Sequence, residues 1–128
     1  MTEEASGNSE PRTLTFISRR SPYGEDYPRA CLDMVMAAAV FDQTVNYVFM
    51  DDGVYQLLNG QQPARIHAKD LSAHFGALSL YGVENVFADH QSLLERGLEN
   101  AALAMPVDVV DNARLQQLIN HSDQVFLL

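Results

Sequence analysis

The sequence lacks the features that mark several protein classes. It has one cysteine, no tryptophan, seven glycines and five prolines in 128 residues. A single cysteine forms no internal disulfide, so a reducing compartment, the cytoplasm, is expected. The longest apolar run, 34–41, has eight residues, well below the ~20 that a membrane-spanning helix needs. No basic segment followed by an apolar core opens the chain, so no signal peptide is predicted.

Positive charge is also scarce. Eight basic residues stand against 17 acidic ones, and the formal net charge is −9. Nucleic-acid binding depends on Lys and Arg neutralising phosphates, so direct contact with nucleic acid is not expected. Hydrophobic residues make up 47% of the chain, a proportion typical of globular proteins. The length predicts one domain over 12–128, preceded by a polar, mobile tail over 1–11.

Apolar periodicity predicts that strands and helices alternate along the chain. The expected strands are 13–18, 45–50, 85–88, 107–110 and 125–128. The expected helices are 28–41, 54–58, 70–80, 92–96 and 112–120. Alternation of this kind indicates an α/β fold, a single domain with a mostly parallel five-stranded sheet and helices on both faces. Sites in such folds lie beyond the carboxyl ends of the strands, which favours the loops 19–27, 51–53 and 89–91.

Cys31 is the only thiol, and two interpretations of it compete. Near the start of the first helix, the helix dipole could lower its pKa and make it a nucleophile. Alternatively, it is a small apolar residue that packs the helix against the sheet. The nearby Asp33 opposes ionisation of the thiol, which favours the packing role.

An acidic pair follows the second predicted strand. Asp51 and Asp52 could hold Mg²⁺ or act as an acid–base pair. The alternative is a turn, in which Gly53 supplies an unusual φ, and we favour it. A phosphoacceptor site of the receiver type would also need acidic residues after the first strand, where this chain has Arg19 and Arg20. An exposed acidic turn can still serve as a docking surface.

Other chemical motifs are missing from the sequence. It has no glycine-rich phosphate loop, no G-x-S-x-G nucleophile elbow and no C-x-x-C pair. Its four histidines do not show the spacing of a metal site. Asp70 and His74 could share one helix face, but no second pair of ligands accompanies them. The sequence therefore predicts no catalytic set, no metal and no cofactor.

Several segments nevertheless carry a family resemblance. The longest is Asp-Asp-Gly-Val-Tyr-Gln-Leu-Leu at 51–58, followed by Gly-Gln at 60–61. Further matches lie at 18–19, 21–24, 39–42, 80–84 and 92–98, and at Asp123 ahead of Val125 and Phe126. Together these segments, spread in order over 12–128, resemble the TusC/DsrF branch of the DsrE-like sulfur-relay family.

The resemblance implies a subunit and not a free-standing enzyme. Proteins of this branch assemble with TusB/DsrH-like and TusD/DsrE-like chains, two copies of each, into a cytoplasmic heterohexamer. Such a complex accepts persulfide sulfur from a TusA-like carrier and passes it to a TusE/DsrC-like protein. In Tus systems the sulfur reaches 2-thiouridine at the tRNA wobble position, and in Dsr systems the complex serves oxidation of stored sulfur. The resemblance alone leaves both pathways open.

The same resemblance implies where the sulfur is carried. The active cysteine belongs to the TusD/DsrE-like sister, and its position falls on Asp89 here, so this chain is expected to be non-catalytic. Its strand-end loops are expected to help dock partners, the candidates being Arg19, Asp51, Asp52, Gly53, Tyr55 and Gln56. Two other functions stay as alternatives, a persulfide sulfurtransferase using Cys31 and a standalone regulatory domain with an acidic pocket at 51–52.

Overall fold

The computed structural model of the chain describes residues 11–21, 27–58, 75–103 and 105–128. Its strands are β1 (Thr13–Ser18), β2 (Thr44–Phe49), β3 (Asn85–Asp89), β4 (Asp108–Val110) and β5 (Gln124–Leu127). Its α-helices are α1 (Tyr27–Val40), α2 (His90–Glu95) and α3 (Asn112–Asn120). Two 3₁₀ helices, Asp51–Leu57 and Ser79–Tyr81, lie between β2 and β3. None of the helices in these ranges is long and apolar enough to cross a bilayer.

All five strands pair in parallel in one sheet of order β4-β3-β2-β1-β5. The first strand is therefore the neighbour of both the second and the last. Phe16 in β1 is level with Tyr47 in β2 and with Phe126 in β5. This arrangement confirms the predicted parallel five-stranded sheet.

Side chains alternate between the two faces of the sheet, and each face has its own core. On one face, Phe16 and Tyr47 pack in a cluster with Leu32 of α1. On the other face, Ile17 and Val48 belong to a second cluster, to which α3 contributes. Helices thus cover both faces, as the alternating pattern of the sequence predicted.

The helix α1 has identifiable start and stop signals. Pro28 lies in its first turn, where the missing N–H costs no hydrogen bond. At its end Asp42 takes a left-handed conformation with φ of 63°. The N–H of Asp42 bonds the Ala39 carbonyl at 3.0 Å, and that of Gln43 bonds the Ala38 carbonyl at 3.3 Å. These are the two bonds of a Schellman motif, with Asp in the place that glycine usually takes.

The connection between β2 and β3 differs from the prediction. The short helix expected over 54–58 is a 3₁₀ helix that begins three residues earlier, at Asp51. Of the helix expected over 70–80, Phe75 is helical, 76–78 form a turn, and the second 3₁₀ helix begins at Ser79. The rest of that helix lies outside the described residues, as does the tail prediction apart from residue 11. The predicted strands agree with the structure to within one residue at each end.

Candidate functional site

The carboxyl ends of β1, β2 and β3 meet at one edge of the sheet, and Gln56 ties two of them together. Its Nε2 donates to Ser18 Oγ at 2.8 Å and to the Arg20 carbonyl at 2.8 Å. Gln56 is fully buried and Ser18 nearly so. A side chain of the first 3₁₀ helix therefore holds the start of the loop after β1 in place.

Gly53 is required by a close approach between the same two segments. A Cβ at this position would lie 2.0 Å from the carbonyl oxygen of Ser18, a backbone atom that cannot move aside. The expectation that Gly53 supplies an unusual φ is wrong, because the left-handed residue of this turn is Asp51, with φ of 51°. Gly53 instead allows the 3₁₀ helix to lie directly against the end of β1.

A chain of hydrogen bonds joins the ends of β2 and β3. The backbone N–H of Asp51 donates to Ser92 Oγ at 2.8 Å, and that hydroxyl donates to Asp89 Oδ2 at 2.6 Å. The same carboxylate oxygen accepts from the Ser92 N–H at 3.1 Å and so caps α2. Asp89 is buried, and its carboxylate is committed to these bonds.

Asp52 forms an ion pair across the same edge. Arg96, just after α2, reaches its Oδ1 with Nε at 3.1 Å and with Nη2 at 3.0 Å. Arg96 Nη1 also donates to the Ser92 carbonyl at 3.2 Å. The carboxylate of Asp52 is therefore held by a cation 44 residues away in the sequence.

Cys31 is fully buried between α1 and the sheet. Burial raises the pKa of its thiol from 9.0 to about 12, and a hydrogen bond with Ser18 offsets only part of that rise. A thiol protonated at neutral pH and closed to solvent is neither a nucleophile nor a sulfur acceptor in this conformation. The structure supports the packing interpretation over the dipole argument.

The predicted docking residues differ in how far they reach solvent. Arg19 and Asp52 are exposed, and Asp51 and Tyr55 are half-buried. Gly53 and Gln56 are buried, so they can shape the surface but cannot contact a partner. Sequence reasoning missed Ser18, Ser92 and Arg96, whose roles depend on neighbours distant in the chain. Docking itself stays a prediction.

A shallow cavity of about 290 Å³ opens at this edge, between the start of α2 and the start of α3. Met50 and Leu115 form its apolar side, and His90 and Asp111 contribute polar groups. No group of three potential ligands for a metal ion occurs among the described residues. Together, these loops form a strand-end surface whose segments are joined by hydrogen bonds and an ion pair.

The sequence profile of the DsrE/DsrF-like family matches residues 12–127. The chain belongs to the DsrE/DsrF-like family. This confirms the resemblance found from the motifs at 51–61 and elsewhere.

Relatives of this DsrE/DsrF-like chain carry both names of the branch. It is 41% identical to a "Protein TusC homolog" of Pseudomonas aeruginosa, over 91% of this chain and 98% of the relative. It is 37% identical to "Intracellular sulfur oxidation protein DsrF" of Allochromatium vinosum, over 90% of this chain and 95% of the relative. The chain is thus similar over nearly its whole length to proteins of both kinds.

A solved structure supports the fold independently. The ychN protein from E. coli superposes with a TM-score of 0.80, covering 91% of this chain and 99% of that protein. The two sequences are 19% identical, so the likeness concerns the fold. It confirms the DsrE-like arrangement of the sheet and helices.

Proposed function

We propose that this chain is a non-catalytic subunit of a cytoplasmic sulfur-relay complex. Its partners are TusB/DsrH-like and TusD/DsrE-like chains, two copies of each, in a heterohexamer. The complex receives persulfide sulfur from a TusA-like carrier and passes it to a TusE/DsrC-like protein. Family membership and the TusC and DsrF relatives support this assignment.

One observation carries the non-catalytic part of the proposal. A persulfide carrier needs an accessible cysteine with thiolate character. At the position matched to the sister's active cysteine, this chain has Asp89, which accepts both bonds from Ser92. Its only thiol, on Cys31, is fully buried, and its pKa is raised to about 12. The chain therefore offers no group that can hold relay sulfur.

We propose tRNA thiolation as the pathway, with sulfur oxidation as the second candidate. The TusC homolog of Pseudomonas aeruginosa is the more similar of the two relatives, at 41% against 37% for DsrF. Loss of the gene is expected to lower wobble 2-thiouridine in tRNA, measured by mass spectrometry of nucleosides. Unchanged 2-thiouridine together with impaired oxidation of stored sulfur would favour the DsrF-like alternative.

The non-catalytic role can be tested by sulfur loading. The co-expressed complex is treated with a persulfide donor, and the mass of each subunit is measured. We expect added sulfur on the TusD/DsrE-like sister and none on this chain, because Cys31 is closed to solvent. Cys31→Ser is expected to leave sulfur transfer intact, at a cost of about 1–3 kcal/mol if the hydroxyl finds no partner. Stoichiometric sulfur on Cys31, with transfer lost in the Ser variant, would instead make the chain a sulfurtransferase.

Assembly provides a separate test. Co-expressed with TusB/DsrH-like and TusD/DsrE-like chains, this chain is expected to elute with them as one large complex in size-exclusion chromatography. Alone, it is expected to self-associate, because apolar side chains such as Phe41 and Leu80 are 74% and 86% exposed. A stable monomer that ignores both sister chains would contradict the subunit role and favour a standalone binding domain.

A further inference from the structure

The helix α1 is apolar on the side that faces away from the core as well as on the side that faces it. Its buried side consists of Pro28, Cys31, Leu32 and Val35. Its only charged residues are Arg29 and Asp33, which pair with each other at 3.3 Å. A helix that is apolar all round is normally buried all round. Within the described chain the outer side of α1 stays exposed, although the Arg20 guanidinium lies over the Tyr27 ring at 4.3 Å.

Five apolar residues form a continuous stripe on that outer side. They follow the alternating spacing of three and four residues that packs one helix against another, and all five are exposed. We call this stripe the α1 seam: Tyr27, Ala30, Met34, Ala37 and Phe41. Phe41 extends the helix by one residue, since its N–H bonds the Ala37 and Ala38 carbonyls.

The α1 seam has the same order of sizes in both directions. Aromatic rings stand at its ends, Met34 at its centre, and Ala30 and Ala37 between them. A surface that meets its own copy across a two-fold axis must be self-complementary in this way. With the axis at Met34, an antiparallel copy brings Tyr27 level with Phe41 of the other chain, and the alanines let the helices approach to about 8 Å.

We propose that the α1 seam is a homotypic contact, in which two copies of this chain pack α1 against α1, antiparallel, about Met34. Charge favours a second copy at this stripe over other parts of the surface. Each chain carries a net charge of −9, so two copies repel wherever their acidic surfaces meet. The seam itself has no charged member. Arg29 and Asp33 beside it pair with each other, and at its two ends Arg20 lies over the Tyr27 ring at 4.3 Å while Asp42 follows Phe41, so that an antiparallel copy brings a cation and an anion together at each end.

The area of the seam indicates how strong this contact is. An aromatic side chain has about 150–250 Å² of surface, and Tyr27 and Phe41 are 46% and 74% exposed, so the seam with Met34 and the two alanines offers roughly 300 Å² per chain. A stable interface buries about 800 Å² per partner. The seam alone therefore forms a weak contact, and its persistence in a larger assembly that holds two copies rests on the proposed function.

Disulfide trapping suits a weak contact with a two-fold axis. Met34→Cys is made in a Cys31→Ala background, so that the introduced thiol is the only one, and oxidation is followed on a non-reducing gel. Two cysteines bridge when their Cα atoms are about 4.4–6.8 Å apart, which the axis at Met34 permits. The matched control is Asp33→Cys in the same background, on the adjacent residue but off the seam and with a side chain 62% exposed.

We expect Met34→Cys to form a dimer of this chain at least about tenfold faster than Asp33→Cys, because only the seam residue meets its own copy. Ala30→Cys and Ala37→Cys are expected to cross-link when mixed, and much less when each is oxidised alone. Equal rates for Met34→Cys and Asp33→Cys, or parallel pairing shown by Ala30→Cys with itself, would overturn the proposal.

The same oxidation in the co-expressed complex separates this inference from the proposed function. A Met34→Cys link to a sister chain would show that the seam faces a different subunit, and the proposal would be wrong while the subunit role stands. A homotypic link without any bound sister chain would support the seam and contradict the subunit role. Met34→Glu provides a second readout that needs no thiol, and it is expected to lower the mass of self-associated chain in light scattering.

Discussion

Asp89 and Ser92 form a 2.6 Å hydrogen bond between carboxylate and hydroxyl where β3 ends and α2 begins. Because Asp89 also caps the backbone N–H of Ser92, it holds the start of α2 and, through Ser92, the N–H of Asp51. Asp89 thus links two strand ends, at the position that we propose corresponds to the reactive cysteine of a sister chain.

The first prediction concerns this link. Asp89→Ala is expected to lower the free energy of unfolding by about 1–2 kcal/mol, since it removes a helix cap. Asp89→Asn keeps an acceptor oxygen, so its free energy of unfolding is expected to fall less than that of Asp89→Ala. Urea unfolding of both variants measures the difference. Normal stability of Asp89→Ala combined with loss of sulfur transfer in the complex would show that Asp89 acts in transfer and not in folding.

The second prediction concerns docking at Asp52. Its side chain is 59% exposed, and its pair with Arg96 is worth about 0.2–1 kcal/mol, so Asp52→Asn is expected to cost no more than that in stability. In the Asp52→Asn complex, sulfur transfer or assembly is expected to weaken more at low salt than at high salt, because salt screens the electrostatic docking that the substitution removes.

Asp108→Asn serves as the control for Asp52→Asn. Asp108 is also exposed but lies at the start of the edge strand β4, level with Phe87 in the middle of β3. Asp108→Asn removes the same charge as Asp52→Asn and is expected to leave sulfur transfer unchanged. A large drop in melting temperature for Asp52→Asn, with normal transfer by the folded complex, would mean that Asp52 is a structural turn residue.

The third prediction separates close approach from conformational freedom. Gly53→Ala places a methyl group 2.0 Å from the Ser18 carbonyl oxygen and is expected to destabilise by about 3 kcal/mol or more. In Gly97→Ala the added Cβ meets no atom within 4 Å, and only the φ of 68° is strained. We expect this substitution to lower the free energy of unfolding by about 1 kcal/mol. Chemical denaturation compares the two. Equal losses would show that the Ser18 contact is not as tight as described.

The fourth prediction concerns alkaline pH. The pKa of Cys31 is raised from 9.0 to about 12, so above about pH 9 the unfolded chain releases a proton that the folded chain keeps. The stabilisation is complete below pH 9 and is lost as the pH rises toward 12. Burial also raises the pKa of Tyr47 above 10.0, and its effect has the same sign.

Urea unfolding between about pH 8 and about pH 11 tests this expectation. The free energy of unfolding is expected to fall with pH in the natural chain and to fall less steeply in Cys31→Ala. Tyr47→Phe is the companion variant, because the Tyr47 hydroxyl is buried without a hydrogen-bond partner in the described structure. Identical slopes in the natural chain and Cys31→Ala would show that the thiol is accessible in the folded state.

Local signals in the sequence predicted the fold well. Alternation of apolar strands and helices follows directly from side-chain periodicity, and β1 occupies the predicted residues Thr13–Ser18. The helix predicted over 112–120 has the same bounds in the structure, where the Asp111 carboxylate just before it accepts from the Arg114 N–H at 2.9 Å. Each of these features depends on residues that are close in sequence.

The strand-end surface was less readable because its bonds join distant residues. Arg96 pairs with Asp52 across 44 residues, and Gln56 holds Ser18 across 38. The reason for Gly53 lies in the carbonyl of Ser18, which no local pattern around Gly53 reveals. Contacts of this kind depend on the order of strands in the sheet, and that order cannot be read from a single sequence.

The position of β1 between β2 and β5 has a consequence for the folding pathway. Thr15 in β1 is paired with Val125 in β5, so one side of an interior strand is completed by a segment made 110 residues later. Closing so long a loop is slow compared with forming local helices. During synthesis, β1 and β2 can pair early while the other edge of β1 stays open and prone to wrong partners. We therefore expect refolding to show a late phase in which β5 docks, and chaperones to matter most before that strand is available.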